Sequence, residues 1–143
     1  MKFLLDTDTC IWILRNDTEV RAHLKKLTPA DVAVSTMNKA ELLYGALNSQ
    51  DPVKRTKDVE LFLSPILVLP FDADAAKEHA RLRLALKSTP IGERDLVIAS
   101  VAVANHLTVV THNQREFGRV PGLKTIDWVS SVPILAPKHK PKK

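Results

Sequence analysis

Short apolar runs and amphipathic stretches alternate along the chain. KFLLD (residues 2–6) is an apolar run closing on an acid and predicts a buried strand. TCIWILRN follows with Ile11, Trp12 and Leu14 at helical spacing, and Asp8 or Thr9 is the expected N-cap. A short helix over 18–27 is ended by Pro29, and DVAVST (31–36) predicts a second strand. Ser35 or Thr36 then caps a helix in which Met37, Ala40, Leu43, Tyr44 and Leu47 line one face. A further helix is expected over 54–64. ILVLPF (66–71) reads as a third strand, and Pro70 argues for an edge position or a strand end. Asp72 caps a long helix, ADAAKEHARLRLALK. The next one, ERDLVIASVAVAN, is apolar almost all round and so predicts a central, buried helix. LTVVT (107–111) and LKTID (123–127) complete the strands.

Strands alternating with helices predict an α/β chain of three layers, α/β/α, around a mainly parallel sheet of four or five strands. Ligands of such folds bind beyond the carboxyl ends of the strands. Asp6, Asp8, Thr111, His112 and Asn113 all lie at that edge.

At 143 residues the chain suits one domain with a sizeable core, and its apolar share of 45% is ordinary for a globular protein. The single cysteine, Cys10, excludes an internal disulfide and fits a reducing compartment. With no signal-peptide pattern and no membrane-length apolar run, the expected location is the cytoplasm. The net charge of +5 points to nucleic acid less than its size suggests, because the tail KHKPKK (138–143) supplies four lysines and no acid. Without that tail, 17 basic residues face 16 acidic ones. Residues 131–143 are therefore read as a Pro/Lys-rich, solvated, disordered end to a domain spanning 1–130.

The candidate chemistry lies in acids. Asp6 follows a strand, where ligands bind; helix capping explains Asp8 well and Asp6 poorly. Glu41 shares a helix face with Met37 and Tyr44 and needs a cation, a metal or a donor partner there. Asp95 lies in the first turn of the most apolar helix, where the helix dipole favours negative charge, but Glu93 already serves that purpose. Asn113 supplies a side-chain oxygen or a turn. Glu116 has a solvated helix position as its simplest reading. If Asp6, Glu41 and Asp95 converge, two charges ~4 Å apart repel by about 4 kcal/mol at an effective dielectric of ~20. Such a cluster needs a cation, and oxygen donors suit Mg²⁺ or Mn²⁺. Zinc spacing, a Walker loop, a dinucleotide fingerprint and a Gly-x-Ser-x-Gly elbow are all missing from the sequence. Cys10 reads as a small buried thiol.

DTDTC also resembles the Asp-x-Asp-x-Thr signature of haloacid-dehalogenase-like phosphatases, in which Asp6 would be a nucleophile. The fifth position is Cys10, however, and no paired acidic motif follows downstream. That reading explains LLDTD and nothing else.

Four segments taken together, LLDTDTCIWILRN, AELLYGALNS, IGERDLVIAS and VVTHNQREFGRVPGLKTIDW, resemble a PIN domain and, within that family, the VapC toxins of bacterial toxin–antitoxin pairs. The resemblance runs from about residue 2 to Trp128. It implies a PIN-like fold and a metal-dependent endoribonuclease using Mg²⁺, with Mn²⁺ as substitute, on an RNA such as tRNA or rRNA. By position, Asp6, Glu41 and Asp95 would be metal-binding carboxylates, Asn113 a fourth catalytic group and Thr111 a hydroxyl beside the metal. Asp8 departs from the usual Asn or Ser and would add charge. His112 departs from a common Asn or Arg. A neutral Asn113 would weaken a second metal position, which Glu116 could assist. Lys39, Arg94 and Arg115 adjoin the acidic motifs and are candidate phosphate contacts, each with a solvated-surface reading beside it. The resemblance further implies a homodimer and a VapB-like antitoxin lying in an apolar groove, for which Trp12, Leu43, Tyr44 and Leu47 are candidate walls. A binding protein with a degraded site remains the non-catalytic alternative.

Overall fold

In the computed structural model, which describes residues 1–129, five short parallel strands form one sheet. The expected tail at 131–143 lies outside the described residues. Strand β1 (Phe3–Leu5) is central, with β2 (Val32–Ser35) and then β3 (Leu67–Leu69) on one side. On the other side lie β4 (Thr108–Val110) and β5 (Thr125–Ile126). Phe3 is in register with Val32 and Thr108, and Leu5 with Val110. β3 is an edge strand, as Pro70 predicts: a proline cannot donate to a ladder on both sides.

Alternation along β1 sends successive side chains to opposite faces. Leu4, with Ala33 and Val109, packs under α5 (Ala73–Ala85) and α6 (Glu93–Ala104). Leu5, with Val32, Val34 and Val110, packs under α1 (Thr7–Leu14), α2 (Thr18–Lys25), α3 (Thr36–Leu47) and α4 (Pro52–Leu63). Both faces are covered, giving the three layers. α6 buries Leu96, Ile98, Ala99, Val101 and Ala102 and is the central helix that its all-round apolar sequence predicts. A last short helix, α7 (Gln114–Phe117), is pinned by fully buried Phe117.

Two local expectations are corrected. The N-cap of α1 is Asp6, with Asp8 inside the first turn, and the Asp6 side chain makes no capping bond because it is turned toward Thr111. In α3 the buried face is Asn38, Leu42 and Ala46, while Tyr44 and Leu47 are 67% and 65% exposed. The helix is apolar on most of its circumference, so its pattern does not fix which side turns inward. The remaining caps follow the sequence: Ser35 caps α3 and Asp72 caps α5.

Candidate active site

The C-terminal edge of the sheet gathers the acids. Asp6 is one residue beyond β1 and Thr111 one beyond β4, and these two strands are neighbours. Thr111 accepts the Asn113 N–H at 2.9 Å, so its own proton goes to Asp6 Oδ2 at 2.7 Å. Asp6 is buried.

Glu41, on α3, reaches the same edge. Its Oε1 accepts a short hydrogen bond from the Thr7 hydroxyl, and its Oε2 stands 3.5 Å from Arg94. Asp95, in the first turn of α6, lies close enough to Glu116 of α7 for the two carboxyls to crowd each other. Glu116 also accepts the Gly92 N–H at 3.0 Å. It is therefore a built part of the site, not a solvated helix residue. Asp8 bonds the Thr9 hydroxyl and the His112 N–H, both at 3.3 Å. The His112 ring lies over Trp12 and is tethered through Nδ1 to Asp127 at 2.8 Å.

Asn113 is the N-cap of α7 and makes no capping bond with its side chain. Of the cationic candidates, Arg94 lies beside Glu41, whereas Lys39 and Arg115 are simply exposed on α3 and α7. Among the proposed groove walls, Trp12 is a core residue, Leu43 is half-buried, and Tyr44 and Leu47 face outward. Sequence reasoning missed Thr7 and Asn38. The signal for them was a polar residue directly after Asp6 and another three positions before Glu41.

The acids feel one another. Burial, then the charge of Asp8, pushes Asp6 up to about 7, against the opposing hydrogen bonds from Thr111 and Thr7; Asp95 adds to the rise. Asp95 is pushed up to about 6 by burial first, then by Glu116, with Glu41 and Asp8 adding charge. Burial also raises Asp8, against hydrogen bonds from Thr9 and His112.

A carboxyl whose folded pKa lies above its unfolded value keeps a proton that the unfolded chain has released. Stability then falls as pH climbs from about 4, where an unfolded aspartate ionises, to about 7, where folded Asp6 does. In EDTA, the melting temperature is expected to be several degrees lower at pH 8 than at pH 5. A flat or rising profile in thermal melts would mean that the acids do not crowd one another.

As the side chains stand, no three acids, histidines or cysteines among the described residues enclose a metal position. Asp6, Glu41 and Asp95 are each turned to a neighbour instead. The donor set nevertheless fits a hard divalent cation. It is all oxygen, it is partly buried, and burial with mutual repulsion makes two of its members costly to ionise, a cost that a bound cation would offset.

The chain is similar to known proteins over most of its length. The PIN domain family matches residues 3–123. The tRNA(fMet)-specific endonuclease VapC of Salmonella typhimurium is 40% identical over 130 residues, covering 90% of this chain and 98% of that protein. Ribonuclease VapC2 of Rickettsia felis is 32% identical over 132 residues, with 90% and 98% covered. In the crystal structure of DNA-bound VapBC from Salmonella typhimurium, one chain superposes with a TM-score of 0.85 at 39% identity, covering 90% of this chain and 99% of that one. The match also decides between the two readings of DTDTC, since the phosphatase resemblance stops at that segment. With its acids at the sheet edge and its family match over most of its length, this chain belongs to the PIN domain family.

Proposed function

We propose that the chain is a divalent-metal-dependent endoribonuclease and the toxin half of a toxin–antitoxin pair, acting on tRNA or rRNA. The observation that carries this reading is the convergence of Asp6, Glu41 and Asp95 at one sheet edge, in a chain similar throughout to the VapC ribonucleases. Asp6 and Asp95 would hold Mg²⁺, or Mn²⁺ in its place, and Glu41 would complete the set. When bound, the ion supplies a water of lowered pKa and polarises the phosphodiester.

The protein does the rest by positioning. Thr111 donates to Asp6 and fixes its orientation. Asp95, crowded by Glu116 and Glu41, would be relieved of that repulsion by ligating the cation. Glu41, held by Thr7, orients the attacking water. Asn113 offers a neutral oxygen at the same edge, and Asp8 adds negative charge from the first turn of α1. Attack in line with the leaving 3′-oxygen breaks the P–O3′ bond and leaves 5′-phosphate and 3′-hydroxyl ends. Arg94 beside Glu41, with Lys39 and Arg115 on the flanking helices, contacts substrate phosphates.

A VapB-like antitoxin is the proposed partner. The exposed Tyr44 and Leu47 on α3 offer its segment an apolar surface, and a solved relative is a VapBC complex. A homodimer is proposed on the family resemblance. No described helix is long and apolar enough to cross a membrane, and the buried free Cys10 suits the cytoplasm.

The test is cleavage of total tRNA by the purified protein in Mg²⁺, Mn²⁺ or EDTA, beside Asp95→Ala. Discrete fragments that need the metal and disappear in the variant are expected. Fragments that persist in EDTA, or in the variant, would remove the metal-site reading.

A further inference from the structure

Ser35 and Asn38 close the capping box of α3, and both are fully buried. The Ser35 backbone N–H donates to Asn38 Oδ1 at 2.8 Å, and the Ser35 hydroxyl donates to the same oxygen at 2.7 Å. A backbone N–H can only donate, so the end of the amide facing Ser35 must be its oxygen. The nitrogen end therefore points the other way, and Nδ2 donates to the Thr7 hydroxyl at 3.1 Å. Thr7 Oγ1 thus accepts from Asn38, and its one proton goes to Glu41 Oε1. Every donor and acceptor in this chain has a single allowed direction, and it ends on a carboxylate of the proposed site.

We propose that Asn38 is a positioning residue for Glu41, acting through Thr7 to hold the Glu41 carboxylate in the orientation that receives the divalent cation. The inference rests on the ribonuclease reading of the site and adds two residues to it. Glu41 has three rotatable side-chain bonds and sits at a partly open edge, its side chain 22% exposed. Fixing it before the cation arrives removes ordering cost from the binding step.

Capping alone does not explain Asn38. The box is satisfied entirely by Oδ1 and by the Asn38 backbone N–H donating to Ser35 Oγ at 3.1 Å. An aspartate would serve the cap equally well, and in a first turn it would suit the helix dipole. It would, however, present an acceptor to Thr7 and draw the hydroxyl proton away from Glu41. The amide is what the relay needs and the cap does not.

The experiment measures Mn²⁺ affinity, by titration calorimetry or the electron paramagnetic resonance of free Mn²⁺, alongside RNA cleavage. The variants are Thr7→Val, Thr7→Ser, Asn38→Asp, Glu41→Gln and the pair Thr7→Val with Glu41→Gln. Thr7→Val and Asn38→Asp should each weaken Mn²⁺ binding about tenfold, the usual loss when a ligand's orienting partner is removed. They should lower kcat while leaving KM for RNA unchanged. Thr7→Ser should restore both. Adding Thr7→Val to Glu41→Gln should cause no further loss, because the two act through one carboxylate.

Wild-type Mn²⁺ affinity in Thr7→Val, or losses that multiply in the double variant, would overturn the relay. Asn38→Asp behaving as wild type while Thr7→Val is impaired would overturn the part given to Asn38. Glu41→Gln binding Mn²⁺ as wild type does is a different result: it would remove Glu41 from the site itself, and the relay with it. The Thr7 variants decide the matter even if Asp at buried position 38 lowers stability.

Discussion

Asp6→Asn is expected to lower RNA cleavage by about a thousandfold or more and, in the same protein, to raise the metal-free melting temperature at pH 8. The first effect corresponds to ~4 kcal/mol of transition-state stabilisation. It follows because the amide nitrogen cannot ligate a cation and the remaining oxygen carries no charge. The second follows from burial. At pH 8 Asp6 has passed its folded pKa of about 7 and is an ionised carboxylate in a buried position facing Asp8 and Asp95. Asparagine has the same shape and no charge. It keeps an acceptor for the Thr111 hydroxyl but has only one oxygen for two donors, which gives back about 1 kcal/mol. The net gain should appear as a rise of several degrees in EDTA, and the pH dependence of the wild type should flatten. Both halves are read on one preparation, by cleavage assay and thermal melt. A variant that is inactive and also less stable would mean that Asp6 is primarily structural.

The second large effect is on the fold. Phe117→Ala should cost about 3–5 kcal/mol, the usual range for removing a fully buried phenyl ring. Phe117 packs in the same cluster as Leu4, Ile98 and Val109. It is also what holds α7, a helix of four residues that could not persist by its own hydrogen bonds. Asn113 caps that helix and Glu116 lies inside it, so loosening α7 should also free Glu116 from Gly92 and Asp95. A denaturant titration measures the cost. A loss below about 1 kcal/mol would show that α7 is anchored by something other than its phenylalanine.

The frame of the molecule could be read from the chain because its signals are one-sided. Pro70 cannot sit inside a sheet, the helix over Glu93–Ala104 has no polar stripe, and β1, β2 and β4 each give way to a polar residue at Asp6, Ser35 and Thr111. α3 was harder. With Met37, Ala40, Leu42, Leu43, Ala46 and Leu47 spread around it, hydrophobicity leaves the rotation of the helix open. The buried choice includes Asn38, which no apolar pattern would select. The site divides the same way. Asp6, Glu41 and Asp95 stood out as candidates because isolated acids at strand ends or in apolar helices require a reason. Thr7 and Asn38 could not, because small polar residues near a helix start already have one in capping. Glu116 looked solvated because its partners, Gly92 and Asp95, are more than twenty positions away in sequence.

The strands are two to four residues long; Asp6 and Thr111 follow the end of one by a single residue, and the helical acids of the proposed site sit in the first two turns of their helices. That brevity leaves the opposite rim of the sheet without chemical duty. There the chain turns through Asn16, through the short 3₁₀ segment at Pro29–Asp31 and through His106; Asn16 and His106 adopt positive φ. Length changes at that rim pass through whole helices and strands before reaching any carboxylate. For anyone grafting a tag or a second domain into it, the molecule has one end where a single inserted residue would displace a group of the proposed site and another where an insertion should leave those groups in place.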